Sequence, residues 1–205
     1  MAARPRRVSG GGGIGSTARA LAALAVLLAG LAPAGFGQAA PAAGAPPAPT
    51  TPLVNQRTPL PGVFTGGAPK TPDGLPAIAA LGVRTFLDLR SDAELPPDTA
   101  AAVEAAGMSY LRLPVAGEAD LDLATARKLH ELLHDPALQP LAVVCASGNR
   151  SGALMAVEDF WLHGRPAAEA LALGQSAGLT RLEPSTRLLL GLPPAPPAEP
   201  APPQR

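Results

Sequence analysis

The segment LAVVCASGNRSGAL, residues 141–154, restricts the possible folds more than any other part of the 205-residue chain. Residues 141–144 are aliphatic, follow Pro140 and end at Cys145, which is the pattern of a short buried strand. From Ser151 onward apolar residues recur at Leu154, Val157, Phe160 and Trp161, and the three-and-four spacing predicts a helix packed against a sheet. A loop that carries a strand directly into a helix lies at the carboxyl edge of the sheet, where such folds bind ligands. Between the two elements, Gly148 can take backbone angles closed to other residues, so the loop of Ala146, Ser147, Gly148 and Asn149 is expected to turn its N–H groups inward beside the helix N-terminus. Such a cradle binds an oxyanion. The helix end and the Arg150 guanidinium also favour thiolate over thiol at Cys145, the only cysteine in the chain. A lone cysteine is commonly a small packing residue. The coincidence of thiol, glycine, arginine and helix start argues instead for a nucleophile or an anion site.

The flanking sequence alternates between the two regular periods. Strands are expected at 63–64, 84–90 and 108–114, and helices at 71–81, 98–106 and 121–134, with Gly82 and Gly107 closing the first two helices. This alternation implies an α/β domain of three layers, a mostly parallel sheet flanked by helices on both faces.

The Cys-Ala-Ser-Gly-Asn-Arg-Ser sequence from Cys145 to Ser151 resembles the active loops of cysteine-dependent phosphatases and of rhodaneses. Protein tyrosine and dual-specificity phosphatases usually place five residues between Cys and Arg. Here there are four, the rhodanese number. Upstream, Phe64-Thr-Gly-Gly-Ala-Pro and Leu81-Gly-Val-Arg-Thr-Phe-Leu-Asp-Leu-Arg90, with Glu94 four residues further on, resemble the phosphatase-like domain family named after the beta-lactamase hydrolase-like protein. The resemblance spans roughly residues 60–182. It implies a cysteine-phosphatase-like fold and a protein tyrosine or dual-specificity phosphatase-like hydrolase acting through a Cys145 thiolate. The alternatives are a rhodanese-like sulfurtransferase carrying a persulfide on Cys145 and a non-catalytic anion-binding module.

By this resemblance Arg150 is the loop arginine, suited to a bidentate clamp on phosphate or sulfate oxygens. Ala146, Ser147, Gly148, Asn149, Arg150 and Ser151 form the substrate-binding loop. Ser151 corresponds to the hydroxyl residue that assists a departing thiolate, or is a plain helix cap. Val144 stands where many phosphatases have histidine, a departure that bears on thiolate activation. Leaving-group protonation requires an acid on a loop well before the cysteine. Glu118, Asp120 and Asp122 are in position, with Asp120 preferred as the third catalytic residue beside Cys145 and Arg150. Acids just before a helix also cap it. Arg90 and Glu94 match the family's strand-end pair and read as a structural ion pair near the pocket. His130, His134 and His163 have no Cys or carboxylate partner at metal-ligand spacing, so no metal and no cofactor is expected.

The ends of the chain differ in kind. Arg4, Arg6, Arg7 and Arg19 precede an apolar run at 20–32 and then small residues, so residues 1–39 read as an export signal. Cleavage after Ala39 or Ala34 would fit, and the product would be periplasmic or secreted, with no stable membrane span once the signal is removed. An uncleaved N-terminal anchor is the alternative, although the run falls short of the about 20 apolar residues that span a bilayer. No cysteine directly follows the run, which excludes a lipoprotein anchor. Many of the 26 prolines lie outside the middle of the chain. Residues 40–59 therefore read as an Ala/Pro-rich linker, 60–192 as the phosphatase-like domain and 193–205 as a disordered tail. Acidic residues outnumber basic ones across 51–193, so nothing in the domain favours nucleic acid. The expected partner is a phosphate- or sulfur-bearing substrate, and oligomeric state is not legible.

Overall fold

A computed structural model describes residues 51–196; the expectations for the export signal, for most of the linker and for most of the tail fall outside that range. The element that organises it is the strand β5, Leu141–Cys145, whose five residues are all buried. It occupies the middle of a five-stranded sheet in the order β1-β2-β5-β3-β4. The other strands are β1 (Val54–Leu60), β2 (Val63–Gly67), β3 (Thr85–Asp88) and β4 (Ser109–Arg112). β5 is parallel to both neighbours, β2 and β3, and β3 is parallel to β4, whereas β1 runs antiparallel on the edge. A strand hydrogen-bonded on both sides and covered on both faces must be apolar throughout, which is why residues 141–145 carry no polar alternation.

The side chains of β5 separate two cores. Leu141, Val143 and Cys145 point into the larger one and Ala142 and Val144 into the smaller. The larger core is closed by α3 (Leu123–His134), α4 (Asn149–His163), α5 (Ala167–Ser176) and α6 (Glu183–Leu189). The smaller is closed by α1 (Leu75–Ala80) and α2 (Thr99–Ala105), through Leu75, Ile78 and Val103. The architecture is the three-layer α/β arrangement that the alternation implied. α4 is buried continuously over residues 149–159, so it is the central helix of its layer, and its two buried acids, Glu158 and Asp159, need partners. None of the helices in the described residues is long and apolar enough to cross a membrane.

The structure departs from the sequence reading before β2 and after α4, where α5 and α6 follow unassigned. Val54–Leu60, most of it assigned to the linker, is a strand paired with β2, with Val54 opposite Gly67 and Leu60 opposite Val63. Its register shifts twice, Asn55 has a positive φ of 52°, and Pro59 lies within it. These features interrupt the period-two pattern, and an edge strand tolerates them because one side of its backbone needs no ladder partner. The helix after the cysteine begins at Asn149, the last residue of the expected loop, with Arg150 in its first turn.

Candidate active site

Cys145 ends β5 with a side chain only 1% exposed, and the chain turns at Gly148 before entering α4. Gly148 has φ of +92°, and a Cβ there would lie 3.3 Å from the Gly66 Cα, so both conformation and space call for glycine. At the facing end of β2, a Cβ on Gly67 would come within 2.5 Å of the Ala146 carbonyl oxygen. The Ala68 N–H donates to the Cys145 carbonyl at 2.8 Å. The Thr-Gly-Gly-Ala motif at 65–68 is therefore the wall against which the cysteine loop is pressed.

The loop N–H groups converge on sulfur. Gly148 donates to Sγ at 3.1 Å. Burial, the largest single influence, pushes the thiol up, but the N–H groups of Ser147, Ser151, Arg150 and Gly148 together outweigh it and hold the pKa below its ordinary value. Position 144, where many phosphatases have histidine, is Val144, buried in the smaller core.

Arg150 is fixed from two directions. Its guanidinium takes both carboxylate oxygens of Glu94, Nη1 to Oε2 at 2.8 Å and Nη2 to Oε1 at 2.5 Å, and Nη1 also donates to the Val115 carbonyl at 2.7 Å. The Glu94 hydrogen bonds, and after burial the nearby Cys145 charge, raise the arginine's pKa. Glu94 is itself set by a capping box, accepting from the Ser91 N–H at 2.9 Å and from its hydroxyl at 2.8 Å. Arg90 and Glu94, read together as one ion pair, belong to two different pairs: Arg90 grips the buried Asp88, Nη2 to Oδ2 at 2.7 Å, and Glu94 grips Arg150. The reason is geometric, because Asp88 ends β3 two residues before Arg90, while Glu94 lies past a turn that carries it to the head of α4.

The remaining expected residues fall into place unequally. Asp120 lies in the one-turn 3-10 helix Glu118–Asp120, and its Oδ2 accepts the Ala116 N–H at 2.6 Å, adjacent to the Val115 carbonyl that holds Arg150. The other two acids of that loop are engaged elsewhere, Glu118 by the Ser185 hydroxyl and Asp122 as the N-cap of α3 through the Thr125 N–H. The Ser151 hydroxyl donates to the Val143 carbonyl at 3.1 Å, so it neither caps α4 nor turns to the sulfur, and its contribution at Cys145 is its main-chain N–H. The Asn149 side chain, expected at the substrate, faces the opposite way. Its Oδ1 accepts from the Thr180 N–H (2.8 Å), the Thr180 hydroxyl (3.1 Å) and the Leu182 N–H (3.1 Å), tying the loop to the turn before α6.

Beside Ser147 a cavity of about 400 Å³ opens, lined by Asn55, Arg57, Gln175, Thr180 and Arg181. Its two arginines place positive charge next to the loop. Sequence reading missed this cavity because β1 and α5 were unassigned. The histidines also depart from expectation: His130, His134 and His163 converge on a carboxylate, Glu158, which neither spacing nor composition had connected to them.

A thiol at the carboxyl end of a central parallel strand, a glycine-turned loop and an arginine at the head of the following helix are features of a cysteine-phosphatase-like α/β fold. Residues 65–160 match the family model of the beta-lactamase hydrolase-like protein, phosphatase-like domain, and this part of the chain is similar to that family. Among solved structures, the fold is similar to the core catalytic domain of the PP-IP phosphatase SIW14 from S. cerevisiae in complex with citrate, at 17% identity and a TM-score of 0.52, covering 68% of this chain and 85% of that one. It is similar to Tk-PTP in the active form, at 19% identity and a TM-score of 0.52, over 66% and 93% of the two chains. It is also similar to P. aeruginosa TpbA in complex with pTyr, at 19% identity and a TM-score of 0.50, over 68% and 85%. No curated protein matched the sequence.

Proposed function

We propose that the domain is a cysteine-dependent phosphatase in which Cys145 is the nucleophile. The observation that carries the reading is the thiol at the end of β5, with the Gly148 N–H donating to Sγ at 3.1 Å and Arg150 held at the head of α4, and the loop amides favour the thiolate there. The thiolate attacks phosphorus and displaces the leaving oxygen, which takes a proton from Asp120. Water then attacks the phosphocysteine, the thiolate departs, and Asp120 recovers its proton. The N–H groups of the 146–151 loop and Arg150 bind the non-bridging oxygens and stabilise the charge that builds on them. Arg57 and Arg181 beside Ser147 favour substrates with negative charge beyond the transferred group.

One specific observation favours a second reading, sulfur transfer through a Cys145 persulfide. Four residues separate Cys145 from Arg150, and the smaller ring of N–H groups suits a terminal sulfur bound to the cysteine. Sulfur transfer also needs no leaving-group acid. Parallel assays on one preparation discriminate between the readings. The phosphatase reading requires phosphate release from an aryl phosphate that vanishes in Cys145→Ser. Thiocyanate release from thiosulfate and cyanide, with no phosphate release, would replace it with sulfurtransferase. Phosphate binding without turnover of either substrate would leave an anion-binding module.

A further inference from the structure

α3 and α4 end side by side, and their last turns bring together His130, His134, Glu158 and His163, one donor atom from each lying within 4.8 Å of all the others. Glu158 is the centre of the group. Its side chain is 4% exposed, and its Oε1 is 2.7 Å from His130 Nδ1 and 3.1 Å from His163 Nε2. The three imidazole centroids are 4.2, 5.1 and 5.3 Å apart, so the rings form one cluster. His134 adds the feature that most resembles a prepared ligand. Its Nδ1 bonds the His130 carbonyl at 2.8 Å, which fixes the tautomer and leaves Nε2 with its lone pair free. Metal-binding histidines are oriented by this kind of bond from the second ring nitrogen.

We propose that these four side chains bind one divalent transition-metal ion of the zinc type, in a closed structural site that clasps the C-terminal ends of α3 and α4. The donor set is three imidazoles and a carboxylate, which suits zinc and its neighbours over magnesium or calcium. Four-coordinate geometry with bonds of about 2.0–2.1 Å sets donors about 3.3 Å apart, so modest side-chain rotations from the observed 4.8 Å spread complete it. At His130 Nδ1 and His163 Nε2 the ion takes the place of the protons now shared with Glu158, and each ring moves to its other neutral tautomer. A divalent ion also meets the partial negative charge of two helix C-termini, since His134 and His163 are the last residues of their helices. The site is separate from the cysteine loop: Glu158 lies about 14 Å along α4 from Asn149 at a rise of about 1.5 Å per residue.

The test is titration of Zn²⁺, and separately Co²⁺, into the full-length protein without an affinity tag, together with Cys145→Ser, His134→Ala and His163→Ala. One equivalent of Zn²⁺ is expected to bind and to raise the unfolding temperature. Co²⁺ should give the intense visible absorption of a four-coordinate site with no sulfur charge-transfer band. Each histidine variant should lose at least about 10-fold in affinity, and Cys145→Ser should bind as the unaltered protein does. Both histidines are partly exposed, so their removal leaves the core intact, and circular dichroism checks this. Absence of stoichiometric binding, a smaller loss in either histidine variant, or loss of binding in Cys145→Ser would overturn the proposal.

Discussion

Arg150 and Glu94, 56 residues apart in the chain, meet in a two-point ion pair that sets the plane of the guanidinium at the mouth of the cysteine loop. Because the Val115 carbonyl holds the same Nη1, the arginine has little freedom to swing, and a planar group presented in one orientation can pair with two anion oxygens at once. Glu94 is thus a positioning residue. Replacing Glu94 with Gln should lower kcat for an aryl phosphate by about 10- to 100-fold, the scale at which misplacement of a reacting or binding group acts. The unfolding temperature should change little, since the carboxylate is 36% exposed. Arg150→Lys, which keeps charge but not the fork, should be at least as damaging. A loss confined to stability, with kcat unchanged in Glu94→Gln, would show that the pair is only structural.

The same pair has a signature in acid. The Arg150 hydrogen bond, acting against partial burial, lowers the Glu94 pKa from 4.5 to about 2. A carboxyl whose folded pKa is depressed stabilises the fold fully above its unfolded pKa and loses that contribution as pH falls through the folded one. The stability difference between the native protein and Glu94→Gln should therefore be constant above pH 4.5 and shrink between pH 4.5 and about 2. Solvent screening keeps it small. Denaturant titrations at a series of pH values check it, and a difference that grows on acidification would contradict the assignment.

For Cys145 the expected pH dependence follows from the loop amides. Because the thiol titrates below its ordinary value, iodoacetamide should modify Cys145 with an apparent midpoint lower than that of the same cysteine in the urea-unfolded chain. Native alkylation that needs a higher pH than unfolded alkylation would mean that burial dominates the amide bonds.

Much of this was legible in the sequence where the relevant contacts are local. The β5–loop–α4 passage reads directly, since strand, glycine turn and helix are consecutive and each has its own period. Gly148 and Arg150 follow from it. What the sequence hid depends on distant segments. The partner of Glu94 is 56 residues away, so the match of Arg90 and Glu94 to the family's strand-end pair suggested the nearer and incorrect pair. Asn149 and Ser151 lie in the right loop, yet side-chain direction in the first helical turn is decided by what packs there: the turn before α6 for one and the β5 backbone for the other. The three histidines meet Glu158 only because α3 and α4 lie side by side, which no spacing within either helix reveals. β1 was hidden by its bulges and by Pro59.

Asn149 gives a stability prediction that separates loop anchoring from chemistry. Asn149→Ala leaves the N–H groups of Thr180 and Leu182 and the Thr180 hydroxyl without their common acceptor, and should cost about 0.5–1.5 kcal/mol, the net range for an intramolecular hydrogen bond, since these donors are only part-buried. Asn149→Asp retains an acceptor and should recover most of the loss. Thermal or urea unfolding of the two variants measures this, and an unchanged stability in Asn149→Ala would remove the anchoring role.

In the proposed reaction the sulfur of Cys145 becomes bonded to phosphorus during turnover. Rapid acid quench of the protein with an aryl phosphate, followed by mass analysis of the peptide containing residue 145, tests this most directly. A phosphate-sized increment is expected on Cys145, absent from Cys145→Ser and from protein quenched before substrate is added. Phosphate release at full rate from Cys145→Ser, or a persulfide on Cys145 after thiosulfate with no phosphorylated peptide under any quench time, would contradict that reaction.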